Sequence, residues 1–156
     1  DRRVRVDRRQ QAARRLDDEM RFKSMAQKVI ALLLETIGDP KYVRSAYHSA
    51  IRMLEAASLP HEAAEMMLNL ARFEMNSGKR GDALSALRGA LDLFRNISHP
   101  DGESKTLVQF GEFDIARGLR SEAHAHAREA KALLPLINDR DTRIEIEARV
   151  GRLLAA

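Results

Sequence analysis

Three glycines set the rhythm of this chain. Gly38, Gly78 and Gly118 are evenly spaced, so one interval occurs twice in succession. The stretches that follow them align without gaps: GDPKYVRSAYHSAIRMLEAASLPH, GKRGDALSALRGALDLFRNISHPD and GLRSEAHAHAREAKALLPLINDRD. A fixed period of this length constrains the fold more than any single residue. Each copy is one supersecondary unit, too small to bury its apolar face alone, so neighbouring copies must cover one another.

The register shows what each copy contains. Five residues past each Gly stand Val43, Ala83 and Ala123. Twelve past stand Ala50, Ala90 and Ala130, and sixteen past stand Leu54, Phe94 and Leu134. Seven before stand Ala31, Ala71 and Gly111, with Gly151 continuing the series. Eight before stand Ile30, Leu70 and Phe110, with Val150 next. Small residues at repeating helical positions let backbones approach closely. The unit is therefore helix A, a turn at the Gly, helix B and a second turn. Gly suits the first turn because a helix commonly ends in a left-handed residue.

This register predicts helices near 22–37, 40–57, 62–77, 80–97, 102–117, 120–134 and 141–154. Asp39-Pro40 reads as a cap followed by proline at the first helical position. Pro60 and Pro100 are expected to stop helix B. His61, Asp101 and Asp141 are expected to begin helix A, the two Asp as N-caps. Pro135 should end or kink the sixth helix. Thr142-Arg-Ile-Glu-Ile-Glu alternates like a strand, but the register places it on a fourth helix A. That helix ends Leu153-Leu154-Ala155-Ala156. Terminal repeats normally carry a polar outer face, so this end suggests a truncated array or an end that packs on another copy.

Composition agrees with helices. Of 156 residues, 44% are hydrophobic and only 4% aromatic, and Ala and Leu carry the apolar share. Gly numbers 8 and Pro 4, too few for a turn-rich β protein. Cys is absent, which excludes disulfides, thiolate catalysis and Cys-ligated zinc and accords with a cytoplasmic protein. The longest apolar run is VIALLL, too short to span a membrane. The chain starts at Asp1 rather than Met, as an excised piece of something longer would. Residues 1–21 hold eight Arg and five acids, +3 of the total +4. This Arg-rich leader lies outside the repeat register. It reads as a charged helical extension or linker, with Ala13, Leu16 and Met20 on one side.

The pattern resembles the tetratricopeptide repeat family over roughly residues 22–156. The resemblance rests on Ala31, Ala71 and Gly111 in helix A, the turn Gly, the small residue early in helix B, and Ala50, Ala90 and Ala130. The family standard is about 34 residues, and the 40-residue version looks like repeats of bacterial regulators. The family's large aromatic early in helix A is replaced by Gln27, Met67 and Leu107, and the late one by Leu34, Glu74 and Asp114. HEAT and armadillo repeats share the period, but their three-helix or kinked units fit less well. The resemblance implies an all-α, right-handed α-solenoid of about 3.5 repeats: 22–61, 62–101, 102–140 and a terminal helix 141–156.

No catalytic constellation emerges. Gly78-Lys79-Arg80 lacks the second glycine and Ser/Thr of a phosphate loop. His61-Glu-Ala-Ala-Glu65 lacks the second His of a zinc helix. His124 and His126 lie about 200° apart around a helix and cannot share a metal. His126 takes the place of Ala46 and Ala86, which marks an interior or groove histidine. Glu112 and Asp114 read as helix surface. No enzyme activity, cofactor or metal is expected.

The family's concave face, lined by helix A, is where a peptide or helix would bind. Carried over by register, its positions are Met25, Lys28, Leu32 and Glu35; then Glu65, Leu68, Asn69, Arg72, Met75 and Asn76; then Lys105, Val108, Glu112 and Ile115. Lys28, Asn69 and Lys105 match three of the five positions of the family's carboxylate clamp, while Leu32 and Gln109 do not. The expectation is a protein-binding scaffold within a larger bacterial regulator, able to form homo-oligomers through its apolar C-terminal end. The alternative is a nucleic-acid-associated regulator using Arg2, Arg3, Arg8, Arg9, Arg14 and Arg15. Interspersed Asp1, Asp7, Asp17 and Asp18 and the lack of aromatics weigh against it.

Overall fold

The computed structural model describes residues 8–21, 25 and 38–156. Every regular element among them is helical. We label the helix of residues 8–21 α1, followed by α2 (Pro40–Ala56), α3 (Pro60–Asn76), α4 (Arg80–Asn96), α5 (Pro100–Ala116), α6 (Arg120–Leu133) and α7 (Arg140–Ala155). A 3-10 turn at Leu134–Leu136 carries Pro135 and closes α6, as the proline demands. The alternating 142–147 stretch lies inside α7. Among the described residues no helix is long and apolar enough to cross a membrane.

The helices keep stricter time than the glycines alone indicate. From α2 to α7 they start at Pro40, Pro60, Arg80, Pro100, Arg120 and Arg140, an even spacing of half the glycine period. The turns show why. Gly78 and Gly118 adopt φ of 74° and 76°, and Ser58 and Ser98 adopt 54° and 52° at the matching places after α2 and α4. All four close the same pair of bonds. The Gly78 N–H donates to the Met75 carbonyl at 3.0 Å, and that of Lys79 to Glu74 at 2.8 Å. At Ser98 the partners are Arg95 at 3.0 Å and, from His99, Phe94 at 2.9 Å. This is the Schellman arrangement, which satisfies carbonyls that the helix end leaves open. Serine takes the left-handed conformation at a cost that glycine escapes.

The helix starts correct two expectations. Pro60 and Pro100 open α3 and α5 rather than stop the helices before them. A proline at the first helical position gives up only an N–H that has no partner there, and its φ is already helical. The cap of α5 therefore falls on His99, whose Nδ1 accepts from the Gly102 N–H at 3.0 Å, and Asp101 lies in the first turn. Likewise Asp139, not Asp141, caps α7, accepting from the Thr142 N–H at 2.8 Å. The hydroxyl and amide of Thr142 hold the Asp139 carboxyl below its ordinary pKa, with Lys105 adding a smaller pull. Asp39 caps α2 through the Lys41 N–H at 2.8 Å, as expected.

The chain forms two compact units, residues 1–66 and 67–156, dividing within α3. The boundary expected at 21/22 borders residues outside the described set. In the first unit α2 buries Val43, Tyr47, Ala50, Ile51 and Leu54 along one stripe. The described part of the leader, α1, is exposed except at half-buried Met20. In the second unit α5 is central and packs on α4, α6 and α7, while α6 also packs on α7. The helix B rows are buried as the register requires: Ala83, Ala90 and Phe94 in α4, Ala123 and Ala130 in α6. Leu107 and Val108 of α5 join Ala127, Ala130, Ile137, Ile146, Val150 and Leu153 in one apolar core.

In α5, the helix that others surround, small residues stand at buried positions. A Cβ added at Gly102 would run into the ring of buried Phe94. Ser104 and Thr106 are buried too, and each hydroxyl donates to a carbonyl four residues back, Pro100 at 2.7 Å and Gly102 at 2.8 Å. Buried hydroxyls satisfied within their own helix leave no desolvated group behind.

Candidate functional site

In the second unit the A helices α3, α5 and α7 contribute side chains to one cleft of about 330 Å³. Ala71, Arg72, Met75 and Asn76 come from α3, Gln109, Glu112 and Phe113 from α5, and Arg149 from α7. Leu87 of α4 completes the lining. Buried Ala71, Leu87 and Phe113 supply an apolar floor, and exposed Arg72, Asn76 and Glu112 a polar rim. An apolar base with a few polar groups around it is the usual make-up of a binding site.

Arg149 organises the cleft. Its Nε and Nη2 donate to both oxygens of Glu112, at 3.0 and 2.9 Å, a two-pronged pair joining α7 to α5. Its Nη1 donates to Glu145 one turn back at 3.1 Å. Burial pulls the Arg149 pKa down, but the bonds and charges of Glu112 and Glu145 outweigh it and hold the guanidinium above its ordinary value. The fork geometry fixes the rotamer of Glu112 as well as its charge, so the rim is pre-set before a ligand arrives.

The structure brings together four of the residues expected in the groove: Arg72, Met75, Asn76 and Glu112. None of the other described ones lines the cleft. Leu68 and Val108 are buried, at 6% and 0% exposure, and present no binding surface. Asn69, Lys105 and Ile115 are half-buried and line none of the cleft, Ile115 packing instead against the apolar core. Glu65 falls in the first unit, and Met25 is exposed. Lys28, Leu32 and Glu35 lie outside the described residues, as do Arg2 and Arg3. Sequence reasoning missed Arg149. The signal was available, because Arg149 stands one glycine period beyond Gln109 and two beyond Asn69.

A second polar cluster sits between α5 and α6. Asp114 is buried, and its Oδ2 lies 2.8 Å from His126 Nδ1. The His126 ring stacks on Phe110 with centroids 5.0 Å apart. Arg117 reaches the other Asp114 oxygen at 3.8 Å and lies over the Phe113 ring. Reading Asp114 as helix surface was wrong: His126, where earlier copies have alanine, fills the helix A–helix B contact and gives the acid a partner. A third ion cluster ties α4 to α5 and α6, with Arg95 bonded to Glu103 at 2.9 Å and Glu129 at 2.6 Å. The Glu103 bond, against the cost of burial and with help from Glu129, raises the Arg95 pKa. No group of three metal-ligating side chains occurs among the described residues.

The arginines of α1 are all exposed. At about 100° per residue Arg8 and Arg15 lie about 20° apart, whereas Arg9 and Arg14 lie about 140° from each other. Leu16 and Glu19 share the Arg8–Arg15 face, and Arg21 pairs with Asp17 at 3.4 Å. Comparison with protein-family models, curated proteins and solved structures finds no match to this chain.

Proposed function

We propose that this chain is a non-enzymatic protein-binding scaffold whose α3–α5–α7 cleft takes up a peptide or helix from another protein. The observation that carries this reading is the cleft itself. Three successive A helices place Arg72, Met75, Asn76 and Glu112 around an apolar floor, with Glu112 held by Arg149. Met, Arg and aromatic side chains around an apolar centre suit a polypeptide surface. The even spacing of the helix starts supports a right-handed α-solenoid of tetratricopeptide-like hairpins, and the helix A row would be its inner face. The Cys-free composition accords with a cytoplasmic module of a larger bacterial regulator.

The test begins with a peptide library selected against the chain. Enriched peptides are then titrated by fluorescence anisotropy against wild type, Arg72→Glu, Glu112→Arg and an α6 control, Arg128→Glu. The reading expects each cleft variant to weaken binding by about tenfold or more, as losing a central charged contact does, with the control unchanged. Equal binding by wild type and both cleft variants would overturn it.

A further inference from the structure

Size is the first constraint on what the α3–α5–α7 cleft can hold. One turn of helix about 10 Å across and about 5.4 Å high fills about 420 Å³, whereas the cleft has a volume of about 330 Å³. A whole helix does not enter. There is room for one or two large side chains, and the floor they would meet is Ala71, Leu87 and Phe113, with half-buried Met75 beside it.

Charge is the second constraint. Both oxygens of Glu112 accept from Arg149, and the third nitrogen of Arg149 donates to Glu145. Arg72 also interacts within the chain. Two arginines and two glutamates leave the site with no net charge. Taking a ligand charge out of water is costly unless an opposite charge waits for it, and here the opposite charges already hold one another.

The two side-chain amides of the cleft differ from the charged groups. Among the described residues, Asn76 on α3 and Gln109 on α5 find no side-chain hydrogen-bond partner within the chain, and both line the cleft. Each carries an NH2 donor and a carbonyl acceptor. Their complement is a peptide group whose own N–H and C=O are free. A helix commits those groups internally, and an extended strand does not.

We propose that the cleft takes an extended, uncharged segment of another protein. The segment seats a large aliphatic or aromatic side chain on the Ala71–Leu87–Phe113 floor, and Asn76 and Gln109 pair with its main chain. This rests on the protein-binding reading above and narrows it, because helical ligands and charged anchors, a terminal carboxylate included, are turned away.

Capped octapeptide pools test it, each with one central position fixed and the flanking positions drawn from Gly, Ala, Ser and Thr. Binding is followed through the backbone and side-chain amide shifts of the full chain. Pools fixed at Leu, Met or Phe should shift Asn76, Gln109 and Phe113, and should bind at least about tenfold tighter than pools fixed at Asp, Glu, Lys or Arg. Raising salt from about 50 mM to about 500 mM should leave that binding within about twofold. Asn76→Leu and Gln109→Met keep the shape and remove the amide, and each should weaken the apolar pools about fivefold, the worth of one neutral hydrogen bond. Charged pools that shift the same residues at equal or lower concentration would overturn the uncharged anchor while leaving the cleft reading intact. Wild-type affinity in both amide variants would overturn the main-chain pairing. Silence with every pool, while peptides enriched in the selection still bind the cleft, would overturn the extended neutral segment alone. Silence with both would overturn the cleft reading as well.

Discussion

Gly111 and Gly151 occupy the same position in α5 and α7, yet the structure treats them differently. At Gly111 an added Cβ would lie 2.7 Å from Leu153 Cδ1 and 3.4 Å from the Ala123 carbonyl oxygen. At Gly151 it would meet nothing within 4 Å. One glycine is a packing requirement, and the other is a position whose neighbour is absent from the described residues. The difference teaches that a small residue in a repeat register has meaning only with the element that closes over it. It also explains why α5, covered by α4, α6 and α7, can bury Ser104, Thr106 and Asp114, whereas α7 buries only Ile146, Val150 and Leu153.

Substitutions can break or sharpen this contrast. Gly111→Leu should cost about 3 kcal/mol by overpacking, while Gly151→Leu should be neutral or gain about 0.5–1 kcal/mol from better helix propensity. Thermal melts of the two variants read the difference directly, and equal losses would erase the distinction between α5 and α7. Gly102→Ala should cost about 2 kcal/mol, because the buried Phe94 ring has to move. His126→Ala restores the alanine of earlier copies, yet it should destabilise by about 1.5 kcal/mol by stripping buried Asp114 of its bond. A neutral result in chemical denaturation would mean that Arg117 alone suffices for the acid.

The smallest expected effect lies at the cap of α7. Asp139 has a folded-state pKa held below its ordinary value. Its contribution is therefore present at neutral pH and is lost as pH falls through the carboxylate range. Asp139→Ala should lower the melting temperature at neutral pH, and the gap from wild type should close as the pH is lowered into the acid range. A gap independent of pH would show that the cap acts through shape rather than charge.

The helical fold and its period were legible because backbone conformation at the turns demands particular residues. Gly78 and Gly118 announce left-handed positions. Ser58 and Ser98 meet the same demand without a telling residue, so the half-period rhythm stayed hidden and α3 and α5 were expected to begin after their prolines instead of on them. Four of the nine residues lining the cleft were legible by register: Arg72, Met75, Asn76 and Glu112. The rest was not, because burial depends on what the next helix brings. Leu68 and Val108 look like groove residues until their faces are covered. Asp114 looks like surface until His126 arrives from α6.

The most direct measurement is an amide chemical-shift titration of the chain with a peptide enriched in the selection. The cleft reading expects the largest perturbations at Arg72, Asn76, Gln109, Glu112 and Arg149, with the outer face of α6 around Arg128 unmoved. Perturbations centred on α6 or α1, with those five amides silent, would contradict it.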